Sequence, residues 1–130
     1  PYEKANILIV EDDDVTRKLV VRSLKKYVAG KNWNLREAKN GQEAMEEVAK
    51  LVPTIILLDL MMPLMDGFMV VEKLRAQEAW RKIPVIIISA KDLTIEDRAR
   101  LKGNGVKMLL SKGKYDHREL VNIISSQIET

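Results

Sequence analysis

Three short runs of unbroken apolar residues constrain this chain more than any other feature: Ile7–Val10, Ile55–Leu58 and Val85–Ile88. Each is four residues long, bounded by polar or turn residues and rich in β-branched side chains, which fits a strand covered on both faces. Between and after them the period changes. Val15, Leu19, Val20, Leu24 and Val28 recur at three and four, giving a helix over Val15–Val28. Gly30 and Asn32 end it. Trp33–Ala38 alternates as a short strand, and Asn40-Gly41 turns the chain into a helix over Gln42–Leu51 with Ala44, Met45 and Val48 on one face. Pro53 stops that helix. Helices over Phe68–Gln77, Thr94–Leu101 and His117–Ile128 and a strand over Val106–Leu110 complete five β-α units.

Five such units imply a parallel sheet with right-handed crossovers and helices on both faces. The most apolar strands belong in the centre, whereas Trp33–Ala38, carrying Asn34, Arg36 and Glu37, belongs at an edge. The expected architecture is therefore α/β, a flavodoxin-like doubly wound (βα)5 fold with strand order 2-1-3-4-5 and a switch point between the first and third strands.

Those two strands both run into acid. The first delivers Glu11, Asp12, Asp13 and Asp14, and the second delivers Asp59. Side by side in a parallel sheet, their carboxyl ends would crowd at least three anions together. Like charges about 4 Å apart repel by roughly 4 kcal/mol at an effective dielectric near 20, so the cluster calls for a cation. A metal ion is expected there. Asp13 or Asp14 has a second use, as N-cap of the following helix.

A chain of 130 residues, 46% hydrophobic, fits one domain over 1–130. It begins at Pro1 rather than methionine, which suggests a piece of a longer protein. No membrane-length apolar run and no cysteine occur, so membrane contact, disulfides and thiol chemistry are not expected, and a cytoplasmic setting is. The net charge of +3 and pI near 9.2 do not point to nucleic acid. Arg17, Lys18, Arg22, Lys25 and Lys26, like the later basic residues, are scattered as solvated helix faces, with no motif to aim them at phosphates. His117 is read as an exposed first-turn residue, Trp33 and Trp80 as partly buried packing, and Met61, Met62, Met65 and Met69 as gap-fillers.

Over its whole length the chain resembles a response-regulator receiver domain, through ILIVEDDDVTR, IILLDLMMPLMDG, VIIISAKD and LLSKG. The resemblance implies a domain that takes a phosphoryl group from a histidine kinase or a histidine phosphotransfer domain, with Mg2+ as cofactor. Position by position, Asp59 would accept the phosphoryl group. Asp12, Asp59 and the backbone carbonyl of Met61 would bind the metal directly, and Glu11 through water. Ser89 and Lys112 would contact the phosphoryl oxygens. Chemistry suits these types: a carboxylate is a modest nucleophile that needs alignment and charge neutralisation, and Mg2+ prefers hard oxygen ligands.

Three positions depart from the usual receiver pattern. Glu11 stands where aspartate is commoner, Leu109 where an aromatic is usual, and Gly113 where a cis proline commonly follows the lysine. The Lys112–Gly113 bond is expected to be trans. Met61 and Lys91, two residues after Asp59 and Ser89, are expected to shield the phosphoryl group from water. The segments SAKDLTIEDRARL and LLSKGKYDHREL resemble terminal receivers of hybrid histidine kinases. The alternatives are a receiver kept only for docking, which intact Asp12, Asp59, Ser89 and Lys112 disfavour, and an aspartyl-nucleophile phosphohydrolase, which lacks its second acid because Met61 stands there. A flavin site is disfavoured because the acids after the first strand repel phosphate. Homodimerisation stays open.

Overall fold

A computed structural model describes residues 4–27 and 30–128. Its strands are β1 (Ala5–Val10), β2 (Trp33–Ala38), β3 (Ile55–Asp59), β4 (Val85–Ser89) and β5 (Met108–Ser111). The helices are α1 (Asp14–Tyr27), α2 (Gly41–Lys50), α3 (Gly67–Ala76), α4 (Ile95–Gly103) and α5 (His117–Ile128). All neighbouring strands pair in parallel in the order β2-β1-β3-β4-β5, as the apolar runs implied. A short 3-10 turn at Glu78–Trp80 was not foreseen.

Strand alternation divides the interior into two layers. Leu8, Val10, Ile56, Leu58 and Ile87 face α2, α3 and α4, meeting Val48, Val71, Leu74 and Leu101. Ile7, Ile9, Leu57, Ile86 and Ile88 face α1 and α5, meeting Val20, Val21, Leu24, Leu120 and Ile124. Covered on both sides, β3 and β4 are buried at every residue. β2 is buried only at Ala38, consistent with its place at the edge.

Local signals set the helix starts. Asn40 Oδ1 accepts the Glu43 N–H, Asp66 Oδ1 accepts the Met69 N–H, and Thr94 closes a capping box with Asp97. Of the two candidate caps for α1, Asp13 is the one used: its carboxylate accepts the Thr16 N–H at 2.8 Å.

Three expectations need correction. Val15 and Leu19 lie on the outer face of α1, 69% and 51% exposed, because the buried stripe runs through Arg17, Val20, Val21 and Leu24 instead. Arg17, read as solvated, is buried. The last strand starts at Met108 rather than Val106, although Val106 is buried just before it. Val28, placed at the end of the first helix, and Pro1 lie outside the described residues.

Candidate functional site

The acids meet because three strands end at one level. Glu11 follows β1 directly, Asp59 is the last residue of β3, and Ser89 is the last residue of β4. Their carboxyl ends are in register, with Val10 opposite Leu58, Asp59 opposite Ile88 and Ser89 opposite Ser111. One step past β5, the Lys112 N–H donates to the Ser89 carbonyl at 2.9 Å, which carries the lysine to the same rim.

Glu11, Asp12 and Asp59 each bring a carboxylate oxygen within 4.8 Å of the others. Glu11 and Asp59 are buried, at 5% and 3% exposure, and Asp12 is the outermost of the three. The Lys112 ammonium lies 2.6 Å from Glu11 Oε1 and 3.3 Å from Asp59 Oδ2. One amine thus serves two buried anions, and Asp12 is left without an ion-pair partner among the described residues. Desolvation, reinforced by the adjacent Glu11, holds the Asp12 carboxyl above its usual range. Burial works against the charge on Lys112, but Glu11 and Asp59 outweigh it and hold its pKa above that of an ordinary lysine. Three converging carboxylates are a donor set of the kind a hard cation takes.

The loops around the cluster are tied to it. The Met61 N–H donates to Asp59 Oδ1 at 3.3 Å, and the Asp13 N–H donates to Glu11 Oε2 at 3.0 Å. Gly67 lets the start of α3 close over the end of β3: a Cβ there would stand 2.6 Å from the Asp59 carbonyl oxygen. Ser89 Oγ accepts the Lys91 N–H at 3.0 Å, and the residue is 4% exposed. The Lys91 ammonium is engaged by Asp97 at 2.9 Å and lies 5.6 Å from the centre of the Phe68 ring. Met61 is 55% exposed, whereas Met62 is buried and Met65 packs against the core. No cis peptide occurs among the described residues, and Gly113 has φ +77°.

Two residues near the cluster escaped the sequence reading. Tyr115 borders a small cavity of about 30 Å3 beneath Glu11, Asp59 and Lys112, and burial raises its phenol pKa. Arg17 was missed because helical periodicity assigns charged residues to solvent. Its side chain shares a face with Val20, Val21 and Leu24, which is the signal that could have found it.

Comparison with known proteins agrees with this arrangement. The family description of the response regulator receiver domain matches residues 7–125, and the chain belongs to that family. It is 36% identical over 123 residues to a probable transcriptional regulator, ycf29, of Porphyra purpurea, covering 95% of this chain and 56% of that protein. It is 41% identical over 97 residues to the transcriptional regulatory protein SrrA of Staphylococcus aureus, covering 75% of this chain and 36% of that one. Among solved structures, the signal receiver domain of a signal transduction histidine kinase from Syntrophus aciditrophicus superposes with a TM-score of 0.82 at 25% identity, covering 96% of this chain and 90% of that one. The chain therefore spans from about a third to a little over half of these curated relatives. Receiver domains are phosphoacceptor signalling domains that bind Mg2+ at an acidic pocket and work with histidine kinases or phosphotransfer proteins. No helix among the described residues is long and apolar enough to cross a membrane.

Proposed function

We propose that this domain accepts a phosphoryl group on Asp59 from a phosphohistidine, with Mg2+ held by Asp12, Asp59 and the Met61 carbonyl and, through water, by Glu11. The observation that carries this reading is the Asp59 carboxylate: buried at the end of a central strand, grouped with two other acids and facing an ammonium at 3.3 Å. In the transfer the N–P bond to the donor imidazole breaks as an O–P bond to an Asp59 oxygen forms, and the donor ring leaves as neutral imidazole once protonated. The bound cation supplies charge neutralisation for the equatorial oxygens. Lys112 would add a second positive charge, and the Ser89 hydroxyl would reach one phosphoryl oxygen after transfer. Met61 and Lys91 flank the product and slow attack by water.

Incubation with acetyl phosphate and Mg2+ followed by intact mass tests the assignment. Addition of one phosphoryl group to the natural chain and none to Asp59→Asn is expected. Equal addition to both, or none to either, overturns it. Met61→Asn is expected to shorten the phosphoryl lifetime, and an unchanged dephosphorylation rate would count against the shielding role.

For the wider protein, residues 1–130 form one receiver domain of a longer, cytoplasmic chain, the terminal receiver of a hybrid histidine kinase. The Lys112-Gly113 pair, Leu109 and the similarity to a kinase-borne receiver support this. Its partner is then a histidine kinase or histidine phosphotransfer domain, and neither nucleic acid nor membrane is bound by this domain itself. A full reading frame with a kinase core ahead of residue 1 supports the placement, and a DNA-binding domain after residue 130 refutes it.

A further inference from the structure

Beneath the acidic loop lies a cation with no assigned role. Arg17 is 7% exposed, and each of its guanidinium nitrogens is committed in a different direction. Nη1 donates to the Glu11 carbonyl at 2.9 Å, Nε to Glu37 Oε1 at 3.0 Å on β2, and Nη2 to Asp14 Oδ1 at 2.6 Å on its own helix. We infer that Arg17 is a positioning residue for the divalent-cation site: by clamping the Glu11 carbonyl it fixes the direction in which Asp12 leaves the sheet.

The argument turns on one peptide unit. The Glu11 N–H and carbonyl both face β2, where pairing with β1 ends at Val10 opposite Ala38, so the carbonyl has no strand partner, and a buried carbonyl needs one. Arg17 is that partner. The Glu11 carbonyl and the Asp12 N–H belong to the same planar group, so holding the oxygen sets the plane from which the Asp12 Cα and carboxylate project. Glu11 is restrained on its other sides as well. Its N–H donates to the Ala38 carbonyl at 3.1 Å, and its carboxylate takes the Asp13 N–H and Lys112. Arg17 completes this set at the one point that controls Asp12. Its charge is answered by Glu37 and Asp14, so it acts by geometry rather than by competing with a metal for the acids. Lysine cannot replace it, since a single ammonium on a flexible stem does not satisfy three acceptors held in three directions.

This inference rests on the proposed Mg2+ site, and calorimetric Mg2+ titration without any phosphodonor keeps the two apart. Arg17→Lys is expected to weaken Mg2+ binding by about 10-fold to 100-fold, the usual loss when a group that orients a metal ligand is removed. Its phosphorylation by acetyl phosphate should recover as Mg2+ is raised, because the deficit is one of affinity. Arg36→Lys is the control. Arg36 also clamps backbone carbonyls, those of Glu47 and Leu51, but away from the acids, so its loss should cost stability and leave Mg2+ affinity unchanged. If Arg17→Lys does not fold, Arg17→Gln takes its place with the same expected loss. Natural affinity in the Arg17 variant, or equal losses in both arginine variants, overturns the positioning role while leaving the metal site standing. Absence of Mg2+ binding by the natural chain overturns both.

Discussion

Arg17 and Lys112 both engage Glu11, one at its backbone carbonyl and the other at its carboxylate, and they are held in opposite ways. The Arg17 guanidinium has all three nitrogens engaged, and its side chain is 8% exposed. The Lys112 ammonium is a point charge on a flexible stem, 27% exposed, shared between Glu11 and Asp59. Arginine spreads its charge over a rigid fork suited to a fixed frame, whereas lysine can swing its charge to whichever oxygen is most negative. On the proposed function, one cation belongs to the frame and the other to the chemistry. On that reading, Lys112 could follow a phosphoryl group added at Asp59, as Arg17 could not.

The largest test of that division is Lys112→Met. Phosphorylation by acetyl phosphate is expected to fall on the order of 100-fold and to stay low at saturating Mg2+, because a charge directed at the transferring group is gone. Arg17→Lys should show the reverse pattern, a deficit that Mg2+ repairs. Stability should respond as well. Glu11 and Asp59 are nearly inaccessible to water, and removing the ammonium between them strands buried anions at a cost of about 3 kcal/mol. Mg2+ should return much of that loss by binding only the folded state. If denaturant melts show Lys112→Met as stable as the natural chain without metal, the two cations do not divide the work as described.

The frame side can be probed by pH. Burial works against the Glu37 charge, but hydrogen bonds from Lys18 and Arg17 outweigh it and hold the carboxyl below its ordinary value of 4.5. A carboxyl whose folded pKa is depressed contributes its stability above the unfolded value and loses it as pH falls through the folded one. Glu37→Gln is therefore expected to cost about 1 to 2 kcal/mol at neutral pH, as for loss of a hydrogen-bonded charge. The gap from the natural chain should hold down to about pH 5 and close below 4.5. A gap that is constant through the acid limb would mean that Glu37 contributes by packing alone.

Much of this layout was legible in the residues themselves, and the exceptions have a common cause. Glu11, Asp12 and Asp59 lie at or beside the ends of apolar strands, so pattern and parallel topology bring them together, whereas Ser89 and Lys112 were picked out by the receiver resemblance and also lie at or beside strand ends. Five parallel strands in the order 2-1-3-4-5 followed from where the apolar runs lie. What escaped was the interior of α1. A period of three and four pointed to Val15 and Leu19, but the buried stripe is offset toward Arg17, and a helical pattern that scores arginine as solvent-seeking cannot find a buried one. Two of its three acceptors, the Glu11 carbonyl and a glutamate twenty residues away, are set by tertiary structure. The 3-10 turn at Glu78–Trp80 is similarly silent, since three residues carry no period.

The smallest expected effect sharpens the comparison at the glycine beside Lys112. Gly113 follows the lysine with φ +77°, a region that costs an L-residue roughly 1 to 2 kcal/mol, and no heavy atom lies within 4 Å of where its Cβ would stand. With space available, backbone conformation alone decides the effect. Gly113→Ala should lower stability by about 1 kcal/mol without crowding any neighbour. The acids and Arg17 lie on other segments, so Mg2+ affinity should stay at its natural value while the Lys112 stem loses part of its freedom to reorient. Phosphorylation should then slow modestly at every Mg2+ concentration, a weak copy of the Lys112→Met pattern. A shift in Mg2+ affinity would instead tie the lysine loop to the frame and erase the distinction between the two cations.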